Sequence, residues 1–193
     1  MFKDITIKAR LLILIGIFSI TAALIGITGW QGLSSLNDQM GASLQSAQLA
    51  SESINTARRA QVSFKIQVQE WKDTLLRGTD PAAFAKHQAG FEKQESAVQS
   101  DLATLKGLLE KQALSTERVE EMIQSHREMG KNYRAALTQY DGSRFESAQT
   151  VDKLVKGMDR KPTEMMNGIV KDIEGHLTKT IEQATNTGQA SYH

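Results

Sequence analysis

The chain has 193 residues, 40% of them hydrophobic but only 6% aromatic, with 23% charged side chains, two prolines, no cysteine and a formal net charge of +1. That length accommodates one domain plus a membrane segment, and the scarcity of aromatic residues and proline fits an all-helical protein better than a sandwich or barrel. The lack of cysteine excludes disulfides, thiolate metal sites and cysteine nucleophiles and suits an oxidising compartment, while the interspersed basic and acidic residues leave no electrostatic footprint for nucleic acid.

The first element is the apolar run Leu11 to Trp30, LLILIGIFSITAALIGITGW, which carries no charge. It is long enough to cross a hydrocarbon core of about 30 Å as a helix. Lys3, Lys8 and Arg10 against the single Asp4 place residues 1–10 in the cytoplasm and everything after Trp30 in the periplasm. The run exceeds the h-region of a signal peptide and lacks a small-x-small site just after it, so it reads as an anchor rather than a cleaved leader. Ser19, Ala22, Ala23, Gly26 and Gly29 would permit a second helix to approach closely, although such residues are common in any span.

From Gln31 the helix continues. Leu33, Leu36, Met40, Ser43, Ala47, Ala50, Ile54, Ala57, Gln61, Phe64, Val68, Trp71 and Leu75 follow steps of three and four, one seam running for about six heptads. The helix should end at Arg77, where Gly78, Thr79, Asp80 and Pro81 break it, having stood roughly 70 Å off the membrane. Asp80 as N-cap and Pro81 at N1 start the second helix. That helix carries Phe84, His87, Phe91, Gln94, Val98, Leu102, Leu105 and Leu109 on one face and should end near Ala113. Ser115 and Thr116 cap the third, whose stripe is Val119, Met122, His126, Met129, Tyr133, Leu137 and Tyr140; Asp141 and Gly142 stop it. A short helix over about Ser143 to Met158 follows. Pro162 then breaks or kinks the pattern before a last stripe of Met166, Ile169, Ile173, Leu177, Thr180 and Ala184. Short connections make antiparallel neighbours. The expected fold is all-α: a transmembrane helix over 11–30 continuing into an antiparallel up-down four-helix bundle within 31–193, with a short extra helix before the last one.

In its wording QVSFKIQVQEWKDTLLRG, within Ile54 to Gly78, resembles the first periplasmic helix of bacterial methyl-accepting chemotaxis receptors whose sensor is a four-helix bundle. HREMGKNYRAAL at 126–137 and VDKLVKGMDRKPTEMMNGIV at 151–170 support the resemblance, in the order and rough separation such receptors show, and it covers roughly Ile54 to Ile173. The resemblance implies the bacterial inner membrane, homodimerisation through the first helix, and small displacements of the last helix against the first on ligand binding. It also implies a second span and a cytoplasmic methylated coiled coil, which this sequence does not contain; the chain therefore reads as a fragment or a truncated product.

Gln61, His87, Gln94 and His126 fall on expected core seams, where an unpaired polar group costs about 1–3 kcal/mol. They read either as a mutually hydrogen-bonded interior layer or as a small polar cavity between helices. Arg58 follows the seam residue Ala57 and Arg134 follows Tyr133, and guanidinium groups so placed could grip a carboxylate bidentately. The expected ligand-binding set is Arg58, Gln61, His126, Tyr133 and Arg134, for a solute of the organic-acid or amino-acid type; each arginine also has a plain reading as solvated surface. Lys65, Lys72 and Arg77 read as solvent-facing or paired one turn away. Val62, Ile66 and Leu76 suggest a second apolar stripe, for a dimer partner or for burial under the short helix.

The sequence contains no GxSxG, GxxxxGK[ST], HExxH or Gly-rich strand-to-helix turn. The residues three before His87, His126 and His176 are Phe84, Ile123 and Ile173, not the glutamates a di-iron bundle requires. The expected function is a ligand-sensing periplasmic module of a chemotaxis transducer, without enzymatic activity, cofactor or metal. Its partners would be a small solute or a periplasmic binding protein, the bilayer and a second copy. The competing reading is a membrane-anchored helical bundle that is structural or binds a partner protein or envelope component, with no small-molecule ligand.

Overall fold

The computed structural model describes residues 6–190, so Lys3 and Asp4, on which the orientation argument partly rests, lie outside the described residues, as do the side chains of Arg10 and Ala184. Five helices follow one another: α1 (Ile7–Arg77), α2 (Pro81–Lys111), α3 (Glu117–Leu137), α4 (Phe145–Val155) and α5 (Arg160–Ala190). There is no strand among the described residues. The chain divides into two compact units, Met1–Gln45 with Gln183–His193, and Ser46–Glu182.

In the first unit, α1 carries the one helical stretch among the described residues that is long and apolar enough to cross a membrane. Its large side chains are exposed, Leu14 at 67%, Phe18 at 77% and Trp30 at 75%. Its two threonine hydroxyls are satisfied within the helix: Thr21 Oγ1 donates to the carbonyl of Ile17 at 2.8 Å and Thr28 Oγ1 to that of Leu24 at 2.9 Å. In hydrocarbon those groups would find no other partner.

The second unit is the bundle. Asp80 Oδ1 accepts from the Ala82 amide at 2.9 Å and Pro81 opens α2, the expected cap. α2 ends two residues before the expected Ala113, in a Schellman turn: the Leu114 amide donates to Leu109 O and the Ala113 amide to Glu110 O, both at 3.0 Å, with Ala113 in the left-handed region at φ 53°. α4 is shorter than the expected Ser143–Met158. Pro162 neither breaks nor kinks a helix; it lies buried in the first turn of α5, where no intrahelical amide is required. Gly157, at φ +80°, makes the turn between α4 and α5.

Contacts fix the topology. Arg58 meets Glu174 and Gln61 meets Asn167, while Lys72 and Leu75 lie against α4. The order is reversed, so α4 and α5 together form the fourth leg, antiparallel to α1. Gln112 Nε2 donates to Ser53 Oγ at 2.8 Å and His87 meets Glu70, so α2 descends beside α1. The core is continuous, from Ile54, Phe64 and Trp71 through Phe91, Leu102 and Leu105 to Met122, Met129, Met166 and Ile169. Each such side chain contributes on the order of 1.5–3 kcal/mol by leaving water.

Two details of the α1 seam differ from the sequence reading. Ala60 and Gln67 are fully buried where Gln61 and Val68 were expected, and those two are only half-buried. Alternating steps of three and four through 57, 60, 64, 67, 71 and 74 keep the stripe on one line. Leu33, Leu36 and Met40, expected on the same buried seam, are 65%, 39% and 59% exposed.

Candidate functional site

At mid-height the bundle carries a buried polar layer. His126 is fully buried, with Nε2 at 2.6 Å from Gln67 Oε1 and Nδ1 at 2.6 Å from Gln99 Nε2. Arg127 Nε donates to Gln99 Oε1 at 3.0 Å, which turns the Gln99 amide nitrogen toward the imidazole. Nδ1 must therefore accept, and the ring hydrogen sits on Nε2 and is donated to Gln67. Burial first, and the nearby Arg134 charge second, hold the imidazole down to about 4, so it is neutral at pH 7. Phe64 packs edge-on against the ring, with centroids 5.7 Å apart.

Above this layer Trp71, Phe91 and Tyr133 form one aromatic cluster, the closest ring centroids 4.5 Å apart. Tyr133 is buried, and burial together with the charges of Asp152 and Asp159 pushes its hydroxyl above the usual tyrosine range. Beside α1, Gly90 makes room for a further polar pair: His87 Nδ1 lies 2.7 Å from Glu70 Oε2, and a Cβ at Gly90 would fall 2.7 Å from that carboxylate.

The five residues expected to bind ligand do not meet. Arg58 is exposed and paired with Glu174 at 2.8 Å, and Gln61 Nε2 donates to Asn167 Oδ1 at 2.8 Å, both on the α1–α5 edge. His126 and Tyr133 are core residues of α3, and Arg134 pairs with Glu95 on the α2–α3 edge. Arg59, next to Arg58, turns instead to Asp101 on α2.

A different set does converge. Between the last two turns of α1 and the face of α4 lies a groove of about 500 Å³ lined by Leu75 and Ala148, with the exposed Leu76 at its edge. Lys72, Lys153 and Lys156 surround it, opposed by the single carboxylate of Asp152, and none of the three lysines is ion-paired among the described residues. Apolar walls with unpaired cations at the rim suit a small anion with an apolar body. Lys153 lies in the last turn of α4 and Lys156 is the residue just past its end, a pair readable in VDKLVK. That this pair meets Lys72 is settled only by the docking of α4 on α1. Among the described residues no group of histidines and carboxylates could hold a metal ion.

An all-helical make-up, with a first helix that includes a stretch of membrane-spanning length, fits a receptor sensor domain. Residues 1–103 match the family described as Tar ligand binding domain homologue, and the chain belongs to that family of chemotaxis-receptor sensor domains. It is similar to the methyl-accepting chemotaxis protein CtpH of Pseudomonas aeruginosa, 31% identical over 189 residues. The match covers 96% of this chain but 31% of that protein, so the chain spans about a third of the curated relative's length. No solved structure matches it.

Proposed function

We propose that this chain is the periplasmic ligand-sensing module of a chemotaxis transducer, that its N-terminus lies in the cytoplasm, and that its ligand is a small organic anion held in the groove between α1 and α4. One observation carries the reading: three unpaired lysines, Lys72, Lys153 and Lys156, surround an apolar groove on the two helices whose relative position the ligand would set. The arginine edge at Arg58 has no comparable free charge, because Glu174 already occupies it. A ligand that binds one arrangement of α4 and α1 more tightly than another biases the bundle toward it, and only that differential affinity can carry a signal.

The second copy would pack on the outer face of α1. Val62 and Ile66 are 54% and 40% exposed there, on a helix whose other apolar residues in the bundle are mostly buried. Apolar side chains at a spacing of four on a solvent face supply a seam for the same helix of a partner.

Thermal unfolding of the full chain in mild detergent, against a panel of organic acids, amino acids and inorganic anions, tests the reading. A ligand at a hundredfold excess over its Kd stabilises by about 2.7 kcal/mol. The expected result is a shift abolished by Lys72→Ala with Lys153→Ala and retained in Arg58→Ala. A shift lost in Arg58→Ala and kept in the lysine variant moves the site to the arginine edge. A flat panel with dimerisation intact favours recognition of a partner protein.

A further inference from the structure

Two hydrogen-bond donors in the bundle core meet no acceptor within the chain. Gln67 is fully buried and Trp71 is 3% exposed, yet Gln67 Nε2 and Trp71 Nε1 are both without a partner. Turning the Gln67 amide over would not cure this, because its Oε1 already accepts the Nε2 hydrogen of His126 at 2.6 Å. Its nitrogen therefore brings two hydrogens into an apolar interior, and the indole brings a third. A buried donor left unpaired is costly, and native cores satisfy nearly all such groups with protein or with ordered water.

The two donors belong to one place. Residues 67 and 71 stand one turn apart on the inward face of α1, a spacing that sets Cβ atoms about 5–6 Å from each other. A single oxygen at about 2.9 Å from each nitrogen spans such a gap. No side chain supplies that oxygen. The Tyr133 ring packs on Trp71, but its hydroxyl does not reach the indole nitrogen. Among the described residues the one buried side-chain acceptor without a partner is Gln112 Oε1, and Gln112 is tied to Ser53, about 21 Å down α1 from Gln67.

We infer that an internal water molecule sits between these residues, accepting from Gln67 Nε2 and from Trp71 Nε1. Its own hydrogens go to carbonyl oxygens of the surrounding helices, each of which has a second lone pair to offer. The water joins the His126 layer to the aromatic cluster of Trp71, Phe91 and Tyr133. It also explains how α1 can turn Gln67 inward when the apolar Val68 is the next residue: the amide is held at both ends, by His126 and by the water. This is a fixed site within the core and does not depend on the lysine groove.

Nuclear magnetic resonance of the isotope-labelled full chain in mild detergent tests it. Trp30→Phe, at an exposed position, leaves a single indole N–H signal. The expected result is a cross-peak from water to that indole proton, of the sign given by a bound water rather than by proton exchange, and a second from water to the Gln67 side-chain amide. Gln67→Met keeps the volume and removes the amide, and with the fold retained it should abolish the water contact at Trp71, since one donor does not hold a water in an apolar core. Trp71→Phe should abolish the contact at Gln67 in the same way. If either variant fails to fold, the two cross-peaks in the otherwise unchanged chain decide the case. An indole proton with no water contact, shifted upfield by the face of a neighbouring ring, would overturn the proposal. A water contact at Trp71 that survives Gln67→Met at full strength would do the same.

Discussion

The buried imidazole of His126 makes bundle stability depend on pH between about 4 and 6.5. Its ordinary value of 6.5 applies in the unfolded chain, and burial holds it near 4 in the fold. Between those values the unfolded state binds a proton that the folded state refuses, so stability rises with pH across the interval and is lost as pH falls through it. The slope is roughly 1.4 kcal/mol per pH unit, giving a loss of about 2 kcal/mol at pH 5 and about 3 kcal/mol at pH 4. A protonated ring would also place a hydrogen on Nδ1 facing the amide nitrogen of Gln99, at a heavy-atom distance of 2.6 Å. The assay is equilibrium unfolding of the full chain in mild detergent from pH 7.5 to 4, for the wild type and for His126→Gln. The variant keeps an amide donor and acceptor at the layer but has nothing to titrate there. The depressed carboxyl groups of Asp73, Asp141 and Glu120 contribute acid sensitivity through their lowered folded values, but they do so in both proteins and cancel in the difference. The wild type should lose its advantage over the variant by about 3 kcal/mol across the range. Parallel curves would refute the argument, because they would mean that His126 is not held neutral in the core.

Three further outcomes are expected. Ala113 occupies a left-handed C′ position that favours glycine, and Gly157 occupies another; Ala113→Gly should stabilise by about 0.5–1 kcal/mol and Gly157→Ala destabilise by about 1 kcal/mol, read as opposite shifts in Tm. A methyl group at Gly90 would displace Glu70 from His87, so Gly90→Ala should add about 1 kcal/mol of helix stability only in a Glu70→Ala background; equal gains in both backgrounds would sink the assignment. Trp71, at 3% exposure, packs on both Phe91 and Tyr133. Trp71→Ala should cost about 3–5 kcal/mol in unfolding free energy.

Periodicity, punctuation and composition by themselves determined most of the architecture. An uncharged run of membrane-spanning length, stripes at steps of three and four, the Asp80–Pro81 start signal and the stop after Arg77 depend on local chemistry, and the helices lie where those signals place them. His126 and Tyr133 were legible as interior residues because their stripe neighbours on α3 leave no other face. What tertiary packing decided is which polar residues meet. Gln67 enters the His126 layer because α1 is turned by one residue, so that Ala60 and Gln67 face inward in place of Gln61 and Val68, whereas half-buried Gln99 reaches the layer from beside Val98 on an α2 seam that runs as expected. Arg58, Gln61 and Arg134 could be placed near seams from spacing alone, but carboxylates and an amide from α2 and α5 claim them, and those partners lie 39 to 116 residues away in the chain. The lysine groove likewise exists only because α4 folds back on the end of α1, bringing Lys153 and Lys156 to Lys72. Helical spacing is a local property that a sequence carries, whereas the convergence of charges from different helices depends on how those helices rotate against one another, which only the packed core sets.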